Sequence, residues 1–272
     1  MNTVTDKGVI SARPMADVQG SRDHRNLAID RVGVRSLRYP VLVQTEQGPT
    51  ASVANFSMAV ALPADKKGTH MSRFVALLET MNKQCQALSP EVMSELSRDL
   101  LVLLEANQGS LSAAFPFFIE KAAPVSGVKS LMDYQVVLQA ESSPGKATVA
   151  IEVRVPVKSL CPCSKEISDY GAHNQRSEVT VRAEFAEGKV PSLETLIRAV
   201  EAQASCELWG LLKRPDEKYV TERAYDNAKF VEDLVRDVAL SVKAFAGVVS
   251  FSVEAENFES IHNHSAWARI TG

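Results

Sequence analysis

The chain has few cysteines, no long apolar run and almost no net charge. Cys85, Cys161, Cys163 and Cys206 are the only cysteines among 272 residues, too few for the disulfide framework of a small secreted domain. No apolar run reaches the roughly 18 residues that a membrane span needs. Residues 1–23 lack the apolar stretch after basic residues that marks a secretory signal. We therefore expect a reduced, cytoplasmic protein with no membrane partner.

The charge balance limits the kind of ligand that the chain can attract. A formal net charge of -3, from 30 Lys and Arg against 33 Asp and Glu, gives no general attraction to nucleic acid or to an anionic membrane. An anionic ligand would have to be held by a local cluster of cations. With 45% hydrophobic and 23% charged residues, the composition is that of a globular protein of one large domain or two fused small ones.

Patterning predicts an α+β fold made of a repeated unit. After an N-terminal arm of residues 1–30, residues 31–145 show two strands, two helices and two strands, and residues 146–272 show the same order. Antiparallel hairpins that flank a helix pair predict a sheet with the helices on one face. Two ββααββ units could extend one sheet, whose edge strands would need covering by barrel closure or by other subunits, so we expect an oligomer. The predicted helices cover residues 70–88, a segment from Ser89 onwards, residues 192–209 and residues 228–246.

The most informative segment, residues 161–176, follows directly after an alternating apolar run. Cys161, Cys163 and His173 supply soft and borderline metal ligands where a strand ends, so a substrate could reach them. The two thiols would share a face if the chain were extended, although Pro162 makes a regular strand doubtful. A disulfide at this spacing would be strained, and two small buried apolar side chains are the structural alternative.

His173 lies in a polar loop and can fold back on Cys161 as the chain reverses between strands. One thiolate, one imidazole and a third ligand would leave a fourth coordination position open, as in catalytic metal sites. Residues 213–218, interpreted as a hydrophilic turn between helices, offer Asp216 and Glu217 as that ligand, unless they are simply a solvated loop. Lys213 and Arg214 in the same turn could receive phosphates.

Three further segments carry polar groups with more than one interpretation. Glu259 and His262, with His264 in reserve, could serve as general acid and base around an activated water, or could be surface residues of a turn. Lys67 and Arg73 stand at the start of a predicted helix, where cations, a glycine and a hydroxyl suit phosphate binding or plain capping. Glu232 opens the last long helix, where the helix dipole favours a carboxylate.

Five strings of residues resemble one known family, the type IB GTP cyclohydrolase I enzymes, a metal-promiscuous bacterial form in the tunnelling-fold superfamily. The resemblance spans residues 16–270, and its strings are residues 67–74, 159–166, 170–177, 211–220 and 256–264. It implies a tunnelling fold (T-fold), in which ββααββ units assemble into a barrel. It also implies a homotetramer whose active sites lie between subunits.

The resemblance implies conversion of GTP and water to 7,8-dihydroneopterin triphosphate and formate, the entry to tetrahydrofolate synthesis. A metal-activated water would attack guanine C8, and the metal would be one divalent ion, manganese, zinc or iron. By position, the implied ligands are Cys161, His173 and Glu217, and Glu232 would anchor the guanine. The remaining implied or candidate residues are Glu259, His262 and Cys163 for proton transfer, and Lys67, Arg73, Lys213 and Arg214 for the triphosphate.

Two alternatives differ in chemistry. A related nitrile reductase would use Cys161 as a thioimide-forming nucleophile with NADPH as reductant, although the pairing of His173 with Glu217 disfavours it. A non-enzymatic module would use Cys161, Cys163 and His173 to hold a structural zinc, and removal of the metal would then unfold it. The lack of a Cys-x-x-Cys pair disfavours a structural zinc site.

Overall fold

Nine strands form one sheet in the computed structural model, which describes residues 17–272. Their order across the sheet is β3-β1-β2-β4-β5-β6-β7-β8-β9, and every neighbouring pair is antiparallel except β1 and β3. The strands are β1 (Ile29–Val43), β2 (Thr50–Leu62), β3 (Ala87–Leu88), β4 (Gly109–Ala122), β5 (Lys129–Ser143), β6 (Lys146–Leu160), β7 (Asn174–Phe185), β8 (Val248–Asn257) and β9 (Ala266–Thr271).

Six helices accompany these strands in the described part of the chain. They are α1 (Met71–Lys83), α2 (Pro90–Leu104), α3 (Pro162–Ile167), α4 (Leu193–Glu201), α5 (Arg214–Asp226) and α6 (Val231–Lys243). None of them is long and apolar enough to cross a membrane. Of the predicted N-terminal arm, residues 1–16 lie outside the described residues, and residues 29–30 already belong to β1.

Helices α1, α2, α4 and α6 pack on one face of the sheet and share one hydrophobic core with it. Each presents a stripe of buried residues at helical spacing, as Leu234, Val238 and Val242 do in α6. On the strands, buried and more exposed residues alternate, because successive side chains point to opposite faces. The predicted α+β fold, with its helices on one face of an antiparallel sheet, is confirmed.

The start of α2 agrees with its predicted signal. The Ser89 hydroxyl accepts a hydrogen bond from the Val92 N–H at 3.2 Å, and Pro90 occupies the first helical position, where its missing N–H costs nothing. The preceding helix, α1, ends at Lys83 rather than at residue 88. Residues 87–88 instead pair with the end of β1.

The prediction of a single helix over residues 192–209 was wrong at its C-terminal end. Helix α4 stops at Glu201, and the chain then crosses to β6, where Cys206 exchanges two backbone hydrogen bonds with Lys158. The apolar spacing that resembled a continuing helix therefore reflects a buried bridge to the sheet.

The prediction of a turn at residues 213–218 was also wrong, because Arg214 begins α5. Only Asp216, Val220 and Ala224 of this helix are buried, so it lacks the apolar stripe by which a helix is found in a sequence. A further short helix, α3, occupies residues that had been considered as a strand extension. Pro162 is its first residue, so Cys161 and Cys163 do not lie on one face of a strand.

Candidate active site

The register of the sheet brings three chain segments to one place. Leu160, the last residue of β6, pairs with Asn174, the first of β7, and Ser177 on β7 pairs with Asn257, the last of β8. The residues just beyond these strand ends therefore meet at the same end of the sheet. The first turn of α6 closes the group, because the Lys229 N–H donates to the Leu160 carbonyl at 3.2 Å.

A cavity of about 300 Å³ opens at this end of the sheet. Its walls combine a thiol, imidazoles and carboxylates from four segments that are far apart in the sequence. Six residues singled out from the sequence line it, namely Cys161, His173, Glu232, Glu259, His262 and His264.

Backbone hydrogen bonds hold Cys161 and His173 side by side. The Cys161 N–H donates to the His173 carbonyl at 3.1 Å, which confirms that the loop folds back on the cysteine. The Ser164 hydroxyl then joins both residues, donating to the Cys161 carbonyl and accepting from the His173 N–H, each at 3.2 Å. The thiol and the imidazole are thus carried by a hydrogen-bonded turn, in which Cys161 is also the N-cap residue of α3.

The imidazole of His173 has a defined hydrogen-bond partner. Its Nδ1 lies 3.1 Å from Oε1 of the buried Gln175 and 3.9 Å from a carboxylate oxygen of Glu259. Because an amide oxygen only accepts, this contact favours the tautomer with the proton on Nδ1, which leaves the lone pair on Nε2. A histidine oriented through its other ring nitrogen is the usual form of a metal-binding imidazole.

Glu259, His262 and His264 belong to the segment that follows β8. The two histidines stack, with ring centroids 5.1 Å apart and planes 19° from parallel. Both are exposed and both line the cavity, so the geometry does not choose between His262 and His264 as a proton carrier. Glu259 is the group of this segment that lies beside His173.

The start of α6 contributes a carboxylate to the cavity and a lysine whose ammonium group already has partners. Glu232 is exposed in the first turn and lines the cavity. Lys229, which also lines the cavity, donates through Nζ to the Gln203 carbonyl at 2.7 Å and pairs with Asp237 at 2.8 Å. Its charge therefore secures the start of α6 to the end of α4.

The residues proposed as metal ligands are only partly gathered. Cys161 and His173 share the cavity wall, whereas Glu217 is exposed in the first turn of α5 and does not line the cavity. Among residues 17–272, no three His, Cys, Asp or Glu side chains are grouped so as to hold a metal ion. The role of Glu217 stays a prediction. Cys163 is exposed on α3 and lies outside the cavity lining.

The four cations predicted to meet the triphosphate lie outside this cavity. Lys67, Lys213 and Arg214 are exposed. Arg73 lines a second cavity of about 270 Å³ at the start of α1, where it donates to the Leu103 carbonyl at 2.9 Å. Their contacts with phosphate remain predictions.

Asp216 is a completely buried carboxylate whose role the sequence did not reveal. It accepts four hydrogen bonds, from the backbone N–H groups of Val125, Ser126 and Lys213 and from the Ser126 hydroxyl, at 2.6 to 2.8 Å. Burial alone would raise the pKa of Asp216, but the hydrogen bonds from Ser126, Lys213 and Val125 hold it well below its usual range. It ties the start of α5 to the turn between β4 and β5.

Three polar residues of the cavity were missed in the sequence, namely Gln175, Lys229 and Asn257. Gln175 lies two residues after His173, and Asn257 lies two residues before Glu259. Because His173 and Glu259 lie just outside β7 and β8, the alternation along those strands did not by itself identify Gln175 or Asn257. Lys229 had no sequence signal either, because its contacts depend on how α6 docks.

The family described as "Type I GTP cyclohydrolase folE2" matches residues 15–268. The chain belongs to this family. The GTP cyclohydrolase FolE2 of Bordetella avium (strain 197N) is 57% identical over 273 residues, which cover 100% of both chains. The GTP cyclohydrolase FolE2 2 of Cupriavidus metallidurans is 57% identical over 256 residues, which cover 94% of both chains.

Two solved uricase structures resemble the fold. The uricase from Arthrobacter globiformis has a TM-score of 0.53 at 9% identity, over 89% of this chain and 92% of that chain. A hyper-thermostable AgUricase mutant has a TM-score of 0.56 at 8% identity, over 90% and 92%. At these identities the likeness concerns the fold alone, and it agrees with the expected tunnelling fold.

Proposed function

We propose that this protein is a GTP cyclohydrolase I, which converts GTP and water to 7,8-dihydroneopterin triphosphate and formate in the first step of tetrahydrofolate biosynthesis. Membership of the FolE2 family over nearly the whole chain supports the reaction. One structural observation carries the proposal. A single cavity gathers Cys161, His173, Glu232, Glu259 and His262 from four separate segments.

We propose one divalent ion per site, manganese, zinc or iron, held by Cys161, His173 and Glu217. The donor chemistry fits such an ion, because the wall offers a thiol and an imidazole whose Nε2 is free to coordinate. Glu217 would have to reach the cavity from another subunit or through a rearrangement of α5. Bound there, a divalent ion would lower the pKa of a coordinated water toward about 7 and supply a nucleophile for guanine C8.

The protein's own groups would hold the base and move the protons. Glu232 would accept the N1–H and N2–H of guanine, a bidentate contact that a base without those donors cannot make. Release of C8 as formate breaks two C–N bonds. Each break consumes one water and gives a proton to the departing nitrogen, and the later condensation that closes the new ring returns one water. Glu259 or His262 would take a proton from the attacking water and return one to the departing nitrogen.

The triphosphate would meet exposed cations rather than the cavity walls. Lys67, Lys213 and Arg214 have side chains open to solvent, and together with Arg73 they are the proposed partners of the phosphates. Since these residues lie outside the cavity within one chain, the proposal includes a homotetramer with active sites between subunits. Location in the cytoplasm belongs to the same proposal.

Formate release and pterin fluorescence test the proposed reaction. Purified protein reconstituted with manganese, zinc or iron is incubated with GTP, and the product is oxidised and examined for pterin fluorescence. We expect fluorescent product and one formate for each GTP consumed. After exhaustive chelation the protein should stay folded by circular dichroism while turnover stops. Turnover that survives chelation would remove the metal from the proposal, and unfolding on chelation would favour a structural zinc.

A further inference from the structure

Three polar side chains form a buried hydrogen-bonded cluster that reaches the cavity through one of its members. They are Ser159 on β6, Ser177 on β7 and Asn257 on β8, and they are only 2%, 1% and 4% exposed. The Ser177 hydroxyl lies 2.8 Å from both the Ser159 oxygen and Oδ1 of Asn257. The Ser159 hydroxyl lies 3.4 Å from the same Oδ1. Of the three residues, Asn257 lines the cavity.

The two hydroxyl protons determine how the Asn257 amide is turned. Each serine has one proton, and a buried hydroxyl proton needs an acceptor. With Oδ1 toward the serines, Ser177 donates to Asn257, and Ser159 donates to Ser177 or to Asn257. With the amide reversed, Nδ2 would occupy the position of that acceptor, and one of the two protons would have no acceptor within the cluster. The cluster therefore keeps Oδ1 on its own side.

This orientation leaves the Nδ2 group of Asn257 as the amide atom available to the cavity. Nδ2 is not among the fully buried polar atoms without a partner in residues 17–272, so it keeps some exposed surface, and Asn257 lines the cavity. The wall has other nitrogen donors, namely the imidazoles, Nε2 of Gln175, whose Oε1 faces His173, and Nζ of Lys229, which is already bonded to Gln203 and Asp237. Asn257 and Gln175 thus each present a neutral amide N–H donor on a wall that also carries carboxylates and imidazoles, and of the two only Asn257 has its amide held by the two buried serines.

We infer that Nδ2 of Asn257 donates a hydrogen bond to the O6/N7 edge of the guanine base, with Ser177 and Ser159 as positioning residues that hold the amide. The inference rests on the proposed function. Glu232 is proposed to accept from N1–H and N2–H, and the neighbouring edge of guanine presents only the acceptors O6 and N7. An N–H donor suits that edge, and a purine with an amino group at C6 would present a donor to it instead.

Ligands that lack one acceptor test the contact directly. In 7-deaza-GTP a C–H replaces N7. The triphosphate of 2-aminopurine riboside lacks O6 and also the N1–H proposed to bind Glu232, so each ligand is compared only between the variant and the wild type. The half-saturation concentration in single-turnover experiments on the metal-loaded enzyme measures GTP affinity, and competitive inhibition measures that of each analogue. We expect Asn257→Ala to weaken GTP binding about 10-fold, the effect of one lost hydrogen bond. The analogue without the contacted acceptor should bind the variant and the wild type alike. An equal loss for all three ligands overturns the inference.

Ser177→Ala provides a second variant that keeps Asn257. It removes the closest partner of Oδ1, so the amide is free to turn, and we expect a smaller loss of about 3-fold with the same selectivity among the three ligands. The matched control is Ser142→Ala, because Ser142 is a buried serine at the other end of the sheet that donates to the Ser97 carbonyl at 2.7 Å. It should change none of the three affinities. A uniform loss in Ser177→Ala would count against the positioning role.

The two proposals fail in different ways. If the metal-loaded wild type releases no formate from GTP, the proposed function is wrong and the inference about Asn257 is lost with it. If the wild type turns GTP over and Asn257→Ala binds all three ligands with one common loss, only the inference about Asn257 is wrong.

Discussion

Ionisable side chains come together beside the start of a helix in two regions, the cavity around Cys161 and the segment at the start of α1. The two regions differ in which atoms of those side chains are already bonded. In the second region Arg73 donates to the Leu103 carbonyl, and both Lys66 and Arg73 face Glu105 at 3.8 and 3.7 Å. His70 pairs with Asp17 at 3.1 Å. These contacts hold the end of α2 and the residues before α1 in place.

In the Cys161 cavity the contacts instead leave reactive atoms free. Gln175 occupies Nδ1 of His173 and leaves Nε2 available, and the two serines occupy Oδ1 of Asn257 and leave Nδ2 available. The same residue types therefore serve structure in one region and present chemistry in the other. The difference lies in which atom of each side chain already has a partner.

Of the variants in the two regions, Cys161→Ala should cause the largest loss of activity. It removes the thiol that lines the cavity, and we expect formate release from GTP to fall by about 10³-fold or more because the proposed water activation is lost. Formate production at saturating GTP measures the effect. Cys85→Ser, at an exposed thiol after α1, is the control and should retain activity. Wild-type turnover in Cys161→Ala would remove Cys161 from the site.

Gln175→Ala should have an intermediate effect. The variant loses the group that holds Nδ1 of His173, and partners of this kind typically account for about 10–100-fold in metal affinity or activity. Metal titration followed by activity at saturating metal separates the two contributions. Gln135→Ala, at an exposed glutamine on β5, should change neither. Unchanged metal affinity and activity in Gln175→Ala would mean that the hydrogen bond does not orient His173.

Asp216→Asn tests whether the buried carboxylate at the start of α5 stabilises the fold. The pKa of Asp216 is held below its ordinary value of 3.8, so the ionised carboxylate stabilises the fold above that pH, and the contribution is lost as the pH falls below it. The wild type should therefore exceed Asp216→Asn in melting temperature most at neutral pH, with a shrinking difference below pH 3.8. Thermal denaturation from pH 7 to pH 3 measures this. A constant difference would contradict the assigned role.

Arg73→Ala should have the smallest effect. It tests whether Arg73 stabilises the fold or binds the triphosphate. Loss of the hydrogen bond to the Leu103 carbonyl should lower the free energy of unfolding by about 1 kcal/mol and leave the KM for GTP unchanged. Urea denaturation and steady-state kinetics measure the two quantities. A large rise in KM at unchanged stability would place Arg73 at the triphosphate instead, and Lys83→Ala at the end of α1 is the control for lost charge.

Much of the fold and part of the site could be predicted from local patterns. The amphipathic stripe of α1 and the Ser89-Pro90 signal of α2 are local properties, and both helices formed as predicted apart from the end of α1. Helix α5 escaped prediction because its first turn is anchored by Asp216 rather than by an apolar face. The end of α4 could not be predicted, because the bridge between Cys206 and Lys158 joins segments that are distant in the sequence.

The order of residue types along the chain determined the fold class, the helix faces, the family and the residues that carry polar chemistry, because each depends on neighbouring positions. Only the tertiary structure decided which of those residues meet. It brought Cys161, His173 and Glu259 to one end of the sheet, left Glu217 on the surface of α5, and placed Asn257 above two serines. The physical reason is that strand register and helix docking join residues far apart in sequence, and hydrogen bonds then select which atom of each remains free.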